Sequence, residues 1–298
     1  MSQIAFLGAV ETGLIFALVA FGVFLSFRIL DFPDLTVDGS FPLGAAVSAI
    51  LIVNGMNPWL ATMAAVLAGC IAGVITAWMN VRLQILNLLA SILTMIALYS
   101  INLRIMGKPN IALLGENTIL TPLELIDLPY YVTTPLAFFV IVIIVLIGLV
   151  YFLKSETGLA MRATGANARM ARAQGISTSA MIILGMAVSN GLVALAGSLF
   201  AQSQGAADVT MGVGVIVVGL ASVIGGEALL STRTLFLAVV ACLVGAVLYR
   251  LAIALALNAD FIGLQAQDLN LVTAALVAMA IVLPRFKSSF NSSGRGAS

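Results

Sequence analysis

Apolar runs follow one another along almost the whole chain, each close to or longer than the ~20 residues a helix needs to cross ~30 Å of hydrocarbon. Broken at turn chemistry and charge, they fall at about 4–29, 40–54, 57–80, 84–105, 134–153, 178–203, 213–226, 233–256 and 269–285. The strict alternation of a transmembrane barrel is missing from them, so the spans read as helices. The expected fold is an all-α integral membrane protein of about nine transmembrane helices, forming a single polytopic domain over residues 1–298. Composition agrees: with 62% hydrophobic and 8% charged residues, the chain has far less than the quarter of charged residues a water-facing surface requires.

The inventory excludes several chemistries. There are no histidines and two cysteines, Cys70 and Cys242, each inside an apolar run. Zinc ligation and a Cys/His nucleophile therefore have no material, and both thiols read as apolar packing. No catalytic residue and no metal site is expected. A net charge of +1 gives no basic face for nucleic acid. The amino terminus, MSQIAFLGAVETGLIFALVA, lacks a basic n-region and reads as a retained span. With that terminus outside, Arg28, Arg82, the loop bearing Lys154, Arg162, Arg169 and Arg172, then Arg233 and the tail with Arg285, Lys287 and Arg295 all fall on the cytoplasmic side, as the positive-inside rule asks.

Two spans are short, and each follows a polar stretch. Asp34-Leu-Thr-Val precedes the first and Asp208-Val-Thr-Met the second, while LNLLASILTMIAL from Leu86 aligns without gaps to LNLVTAALVAMAI from Leu269. An odd number of crossings separates the matching pieces, so the pattern reads as an inverted repeat with cores at 31–105 and 206–285. Paired short or broken helices in inverted halves point to a transport site between them.

In DFPDLTVDGSFPLG, Asp31 to Gly44, the prolines Pro33 and Pro42 are expected to keep a helix from running through, and Asp38, Gly39 and Ser40 to supply N-cap chemistry for the short helix that follows. For Asp34 and its repeat mate Asp208, a capping role and a place in the solute pathway both stay open. A carboxylate there suits an amine and the positive end of a short helix suits a carboxylate; an amino acid carries both. The pathway candidates are Asp34, Thr36, Asp38 and Ser40 in one half with Asp208 and Thr210 in the other. Glu11, inside the first span, is a further intramembrane carboxylate, read either as functional or as lying near the outer interface. GVGVIVVGLASVIGGE, Gly212 to Glu227, reads as a small-residue packing seam, with flexibility of a gating helix as the alternative.

The loop from Lys154 to Ser177 is long for a connection between spans. Asn167 can cap a short helix reaching Gln174, with Arg169 and Arg172 on a basic face and Gly175 just past its end. An ordinary positive-inside loop facing lipid headgroups is the plainer reading. TGLAMRATGANARMARAQGIS resembles the coupling loop of binding-protein-dependent ABC importer permeases, specifically the type II group with the branched-chain amino acid and monosaccharide permeases. DFPDLTVDGSFPLGAA with GVGVIVVGLASVIGGEAL resembles a subgroup linked to aromatic amino acid import.

That resemblance implies a multi-pass permease of the bacterial inner membrane, a homodimer with its pathway at the dimer interface, two ABC ATPase subunits docked on the cytoplasmic loops, and an extracytoplasmic binding protein that delivers the solute. It assigns ATPase coupling to the loop 154–177, through Arg162, Asn167, Arg169, Met170, Arg172 and Gly175. The chain has no G-x-x-x-x-G-K-[ST] run, so it holds no cofactor of its own, and ATP and Mg belong to the partner ATPase. The competing reading is an ion-coupled secondary transporter that uses Asp34, Asp208 or Glu11 as its coupling carboxylate.

Overall fold

A computed structural model describes residues 3–122, 129–230 and 232–257. Six of its helices are long and apolar enough to cross a membrane: α1 (Gln3–Val23, continued by a π-helical turn Phe24–Ile29), α3 (Pro58–Leu83), α4 (Asn87–Met106), α5 (Tyr130–Lys154), α8 (Thr178–Gln204) and α10 (Leu235–Leu257). Two shorter apolar helices, α2 (Val37–Val53) and α9 (Val215–Leu229), occupy the positions expected for the short spans. These eight match the first eight expected spans; the ninth, at 269–285, lies outside the described residues, as does the second half of the repeated LNL segment. The chain is a multi-pass, all-α membrane protein.

Local chemistry sets the ends. Asn57 caps α3 by accepting the amide N–H of Trp59 at 2.9 Å, with Pro58 at the first helical position, where its missing donor costs nothing. Gly107 and Gly205 end α4 and α8 at φ 67° and 68°, the left-handed geometry a helix C-terminus favours.

α8 is the central helix, packed against α3, α2 and α1, while α10 packs on α1 and α9, and α5 covers α1. Small residues permit this. Gly69 and Gly73, four apart on α3, lie against the backbone of α8 so closely that an added Cβ would stand 2.5 Å from the Asn190 carbonyl and 2.1 Å from that of Met186. In lipid, where apolar side chains gain little by leaving the solvent, such backbone approach is what holds helices together. The core beside it is formed by Phe16, Phe21, Leu25, Phe41, Met186 and Leu199, with the rings of Phe16, Phe41 and Phe200 within 6 Å of one another. Cys242 is buried in this cluster, as expected of a packing thiol.

The two ends of α8 carry different devices. Before it lie α6 (Glu156–Ala166) and α7 (Ala168–Ala173); after it comes β2 (Ala206–Asp208), paired antiparallel with β1 (Asn110–Ala112) of the loop after α4. At 27 residues and ~1.5 Å each, α8 holds these about 40 Å apart. Beside α6, Gly165 meets the Ile29 carbonyl at the end of the π turn, leaving no room for a Cβ. Arg28 of the same turn donates to Glu227 of α9 at 2.9 Å, a partly exposed ion pair.

Candidate functional site

α2 differs from its expected construction. The helix already begins at Val37, its N-cap Thr36 makes no side-chain cap bond, and Pro42 lies inside it. Pro42 leaves the Asp38 carbonyl without its helical donor, and that carbonyl lies against Gly212, where an added Cβ would stand 2.0 Å away. Asp38 does cap a helix, but not its own: it accepts the amide N–H groups of Gly214 at 3.2 Å and Ile216 at 2.8 Å, the free donors at the start of α9. Gly214, at φ 80°, is the N-cap residue that turns these amides toward it. One short helix thus supplies the carboxylate that closes the other.

The two Asp-x-Thr segments form the same turn. Asp34 accepts the amide of Thr36 at 2.8 Å, and Asp208 accepts that of Thr210 at 2.7 Å together with its hydroxyl at 2.5 Å. Their surroundings differ. Asp34, Thr36 and Ser40 are fully buried. Asn190 of α8 ties two of them together, donating to Asp34 at 2.8 Å while accepting from the Ser40 hydroxyl at 2.6 Å. Thr36 meets Thr76 of α3 at 3.0 Å, and Thr76 donates to Thr94 of α4 at 2.9 Å. Asp208, in β2, is partly exposed, and Asn110 of β1 donates to its other oxygen at 3.3 Å. The Thr210 hydroxyl and amide hold its carboxyl below the usual carboxylate range.

Beside this frame lies a cavity of about 410 Å³, bounded by Asp38 and Pro42 of α2, Ile96, Tyr99 and Asn102 of α4, and Thr210. Among the six pathway candidates, Asp38 and Thr210 border it, and Asp34, Thr36 and Ser40 stand behind its wall in the buried network. The α4 contributors, Asn102 above all, were not picked out from the sequence. The available signal was an Asn inside an apolar span, a placement that costs unless the amide is bonded or faces water. Asn102 is fully buried and donates to the Gly39 carbonyl at 3.3 Å, and its Oδ1 has no hydrogen-bond partner among the described residues.

The exposed face of α4 differs from that of a lipid-facing helix. On α5 the exposed positions Leu136, Phe139, Val140, Ile144 and Ile147 form an unbroken apolar surface. On α4 the exposed Leu88, Leu89, Leu93, Ile96 and Ile101 are joined, in the C-terminal half of the helix, by the exposed polar groups of Tyr99, Ser100 and Arg104. Glu11, in α1, accepts a hydrogen bond from Ser203 near the end of α8 and does not border this cavity.

At the far end of α8 the loop helix is built as its residues predict. Asn167 accepts the amides of Arg169 and Met170, both at 3.1 Å, α7 ends at Ala173, and Gly175 follows at φ 83°. Arg162, Arg169 and Arg172 are exposed and Met170 is 63% exposed, while Arg172 reaches the Thr178 hydroxyl at 3.4 Å.

Residues 6–283 match the model of the family described as branched-chain amino acid transport system, permease component. The chain belongs to that family. The permease is 41% identical over 268 residues to a tyrosine transport system permease protein of Clostridioides difficile, covering 89% of this chain and 86% of that protein. It is 36% identical to an uncharacterized protein of Rickettsia prowazekii, covering 92% and 95%. A fructose import permease protein of Bifidobacterium longum is 28% identical, over 76% of this chain and 64% of that one. The permease also resembles in fold a solved structure titled PsaBC from Streptococcus pneumoniae in complex with Fab, with a TM-score of 0.50 at 15% identity, covering 93% and 90%. It is thus the permease component of an ABC importer, a transport subunit and not an enzyme.

Proposed function

We propose that the permease imports an amino acid, driven by ATP hydrolysis in separate ABC subunits that dock on α6 and α7, with the solute handed over by a binding protein on the opposite side. The observation that carries the coupling half of this reading is α7 itself. A six-residue helix with a doubly bonded Asn cap displays Arg169, Met170 and Arg172 outward, and an order this defined on an exposed loop suits a protein partner better than lipid headgroups. The substrate class rests on the 41% identity to the tyrosine permease and on the cavity, whose wall is mostly apolar with a few polar groups.

The polar groups in the C-terminal half of α4 support the arrangement of the assembly. Tyr99, Ser100 and Arg104 stand exposed there among apolar neighbours, and a second copy of the permease across a water-filled pathway would keep them from acyl chains. Asp38 and Thr210 then wall the pathway, Asp208 stands at its β-paired end, and Asp34, Thr36 and Ser40 brace the wall from behind. The two Asp-x-Thr turns and the two short helices support an inverted repeat, and the arginines of α6 and α7 support a cytoplasmic location for that loop, with the amino terminus outside.

Exchanging both Arg169 and Arg172 for Glu tests the reading. Uptake of radiolabelled amino acid should fall at least tenfold and ATPase co-purification should be lost, with the permease still inserted. Normal uptake at equal expression would refute coupling through α7. Uptake that survives a collapsed proton gradient while ATP is maintained would separate this mechanism from an ion-coupled one.

A further inference from the structure

One residue lining the cavity between α2, α4 and the start of α9 carries an acceptor that no described residue satisfies. The Asn102 amide is fixed in orientation, because its Nδ2 donates to the Gly39 carbonyl at 3.3 Å and the reversed amide would set two oxygens against each other. Its Oδ1 is therefore the free end, buried and without a partner among the described residues, on a residue that lines a space of about 410 Å³. A buried carbonyl left unpaired costs roughly 1–3 kcal/mol, so the site gains by receiving a donor. Asp38 lines the same space. Two amides of α9 already bond its oxygens, but its negative charge remains, and it makes a cationic donor preferable to a neutral one.

The remaining wall selects the rest of the solute. Pro42, Met95, Ile96, Val209 and Val213 give an apolar surface with Tyr99 beside it, and the volume is within the roughly 300–1,000 Å³ of ligand sites. Arg104, one turn beyond Ser100 on the exposed stripe of α4, carries a positive charge suited to a carboxylate arriving from that end.

From this we infer that the cavity is a way-station for an amino acid with an apolar or aromatic side chain, whose ammonium donates to Asn102 Oδ1 beside Asp38, making Asn102 the residue that reads the amine. The inference rests on the amino acid reading above and places the recognition within the permease chain.

The experiment uses full-length permease in lipid nanodiscs, with Cys70 and Cys242 replaced and a single cysteine at Ser100, and follows the rate of thiol modification. L-Tyrosine should slow labelling and raise the melting temperature. The same acid without its amine, 3-(4-hydroxyphenyl)propionate, should do neither at the same concentration. Asn102→Leu, of similar volume, should weaken protection by L-tyrosine about ten- to a hundredfold, the loss of one hydrogen bond to a charged group, and the ligand-free melting temperature reports whether the variant is misfolded.

Equal protection by the deaminated acid, unchanged protection in Asn102→Leu, or no protection by L-tyrosine at all would overturn the assignment. If cells still take up L-tyrosine while the cavity is unprotected, the amino acid reading stands and this site falls. If D-fructose protects and L-tyrosine does not, both fall together.

Discussion

Asp34 and Asp208 begin turns of the same Asp-x-Thr pattern closed by the same amide bond, yet one is sealed inside the bundle and the other stands partly in the open in a two-stranded sheet. The turn itself is local chemistry. An aspartate oxygen accepting the amide two residues on is the ordinary behaviour of Asp ahead of Thr, and both halves obey it. What differs is the company. Asp34 meets Asn190 of α8 and, through Thr36, Thr76 of α3 and Thr94 of α4, so its carboxylate helps hold four helices in register. Among the described residues the Asp208 side chain bonds only Thr210 and, across the β pairing, Asn110. The same motif is a structural joint in one half and a surface turn in the other, and the two should respond unequally to the same substitution.

The largest expected difference comes from alanine. Asp34→Ala strands the Thr36 amide and one Asn190 proton in a fully buried place, each costing roughly 1–3 kcal/mol, so the variant should lose several kcal/mol and much of its monodisperse yield from detergent. Asp208→Ala frees groups that water can reach, and the loss should be about 1 kcal/mol or less. Melting temperatures of the two purified variants make the comparison, and equal losses would break it.

A swap sharpens it. Asp34→Asn alone sets its new amide protons against the Asn190 donor, and should lower both melting temperature and uptake. Asn190→Asp in the same chain restores an acceptor at position 190 for both the new amide at 34 and the Ser40 hydroxyl, at the expense of the weaker bond from Asn190 to the Met186 carbonyl at 3.2 Å. The double variant should recover most of the stability lost by Asp34→Asn, a coupling that pairs in contact show and distant pairs do not. No recovery would mean that the carboxylate at 34 is needed for its charge in transport. Asp208→Asn has no such buried partner to offend and should behave almost as wild type.

These contrasts also mark what was legible in the sequence. The spans, the two short helices, the capped loop helix and the matched Asp-x-Thr turns all follow from local composition and spacing, and the sequence shows them. The destinations of the side chains do not. Nothing near Asp38 announces that it will cap α9 instead of its own helix, because that depends on Gly212 and Gly214 arriving from more than 170 residues away. Asn190 and Asn102 were visible only as isolated polar residues in apolar runs, a pattern that signals a bonded or cavity-facing amide without naming its partner. The seam reading of Gly212 to Glu227 fits at Gly212, Gly219 and Gly226, each pressed against a neighbouring element, and not at Gly214 and Gly225, which have open space around them.

The smallest effect is that of pH on the exposed turn. The Asp208 carboxyl is held below the usual carboxylate range chiefly by the Thr210 hydroxyl, with the Thr210 amide next. A group whose folded value is depressed stabilises the fold above its unfolded value and loses that contribution as pH falls through the folded one. The β2 turn should therefore hold through neutral and mildly acidic conditions and loosen only below the ordinary Asp value of about 3.9. Hydrogen exchange over residues 206–212 in nanodiscs would show it as a modest acceleration below that pH, after correction for the intrinsic rate. Asp208→Asn provides the reference, since it keeps an acceptor for Thr210 and cannot titrate, so its corrected exchange should stay level across the same range. Matching acceleration in both proteins would assign the loosening to some other carboxylate, and would leave Asp208 distinguished from Asp34 by burial alone.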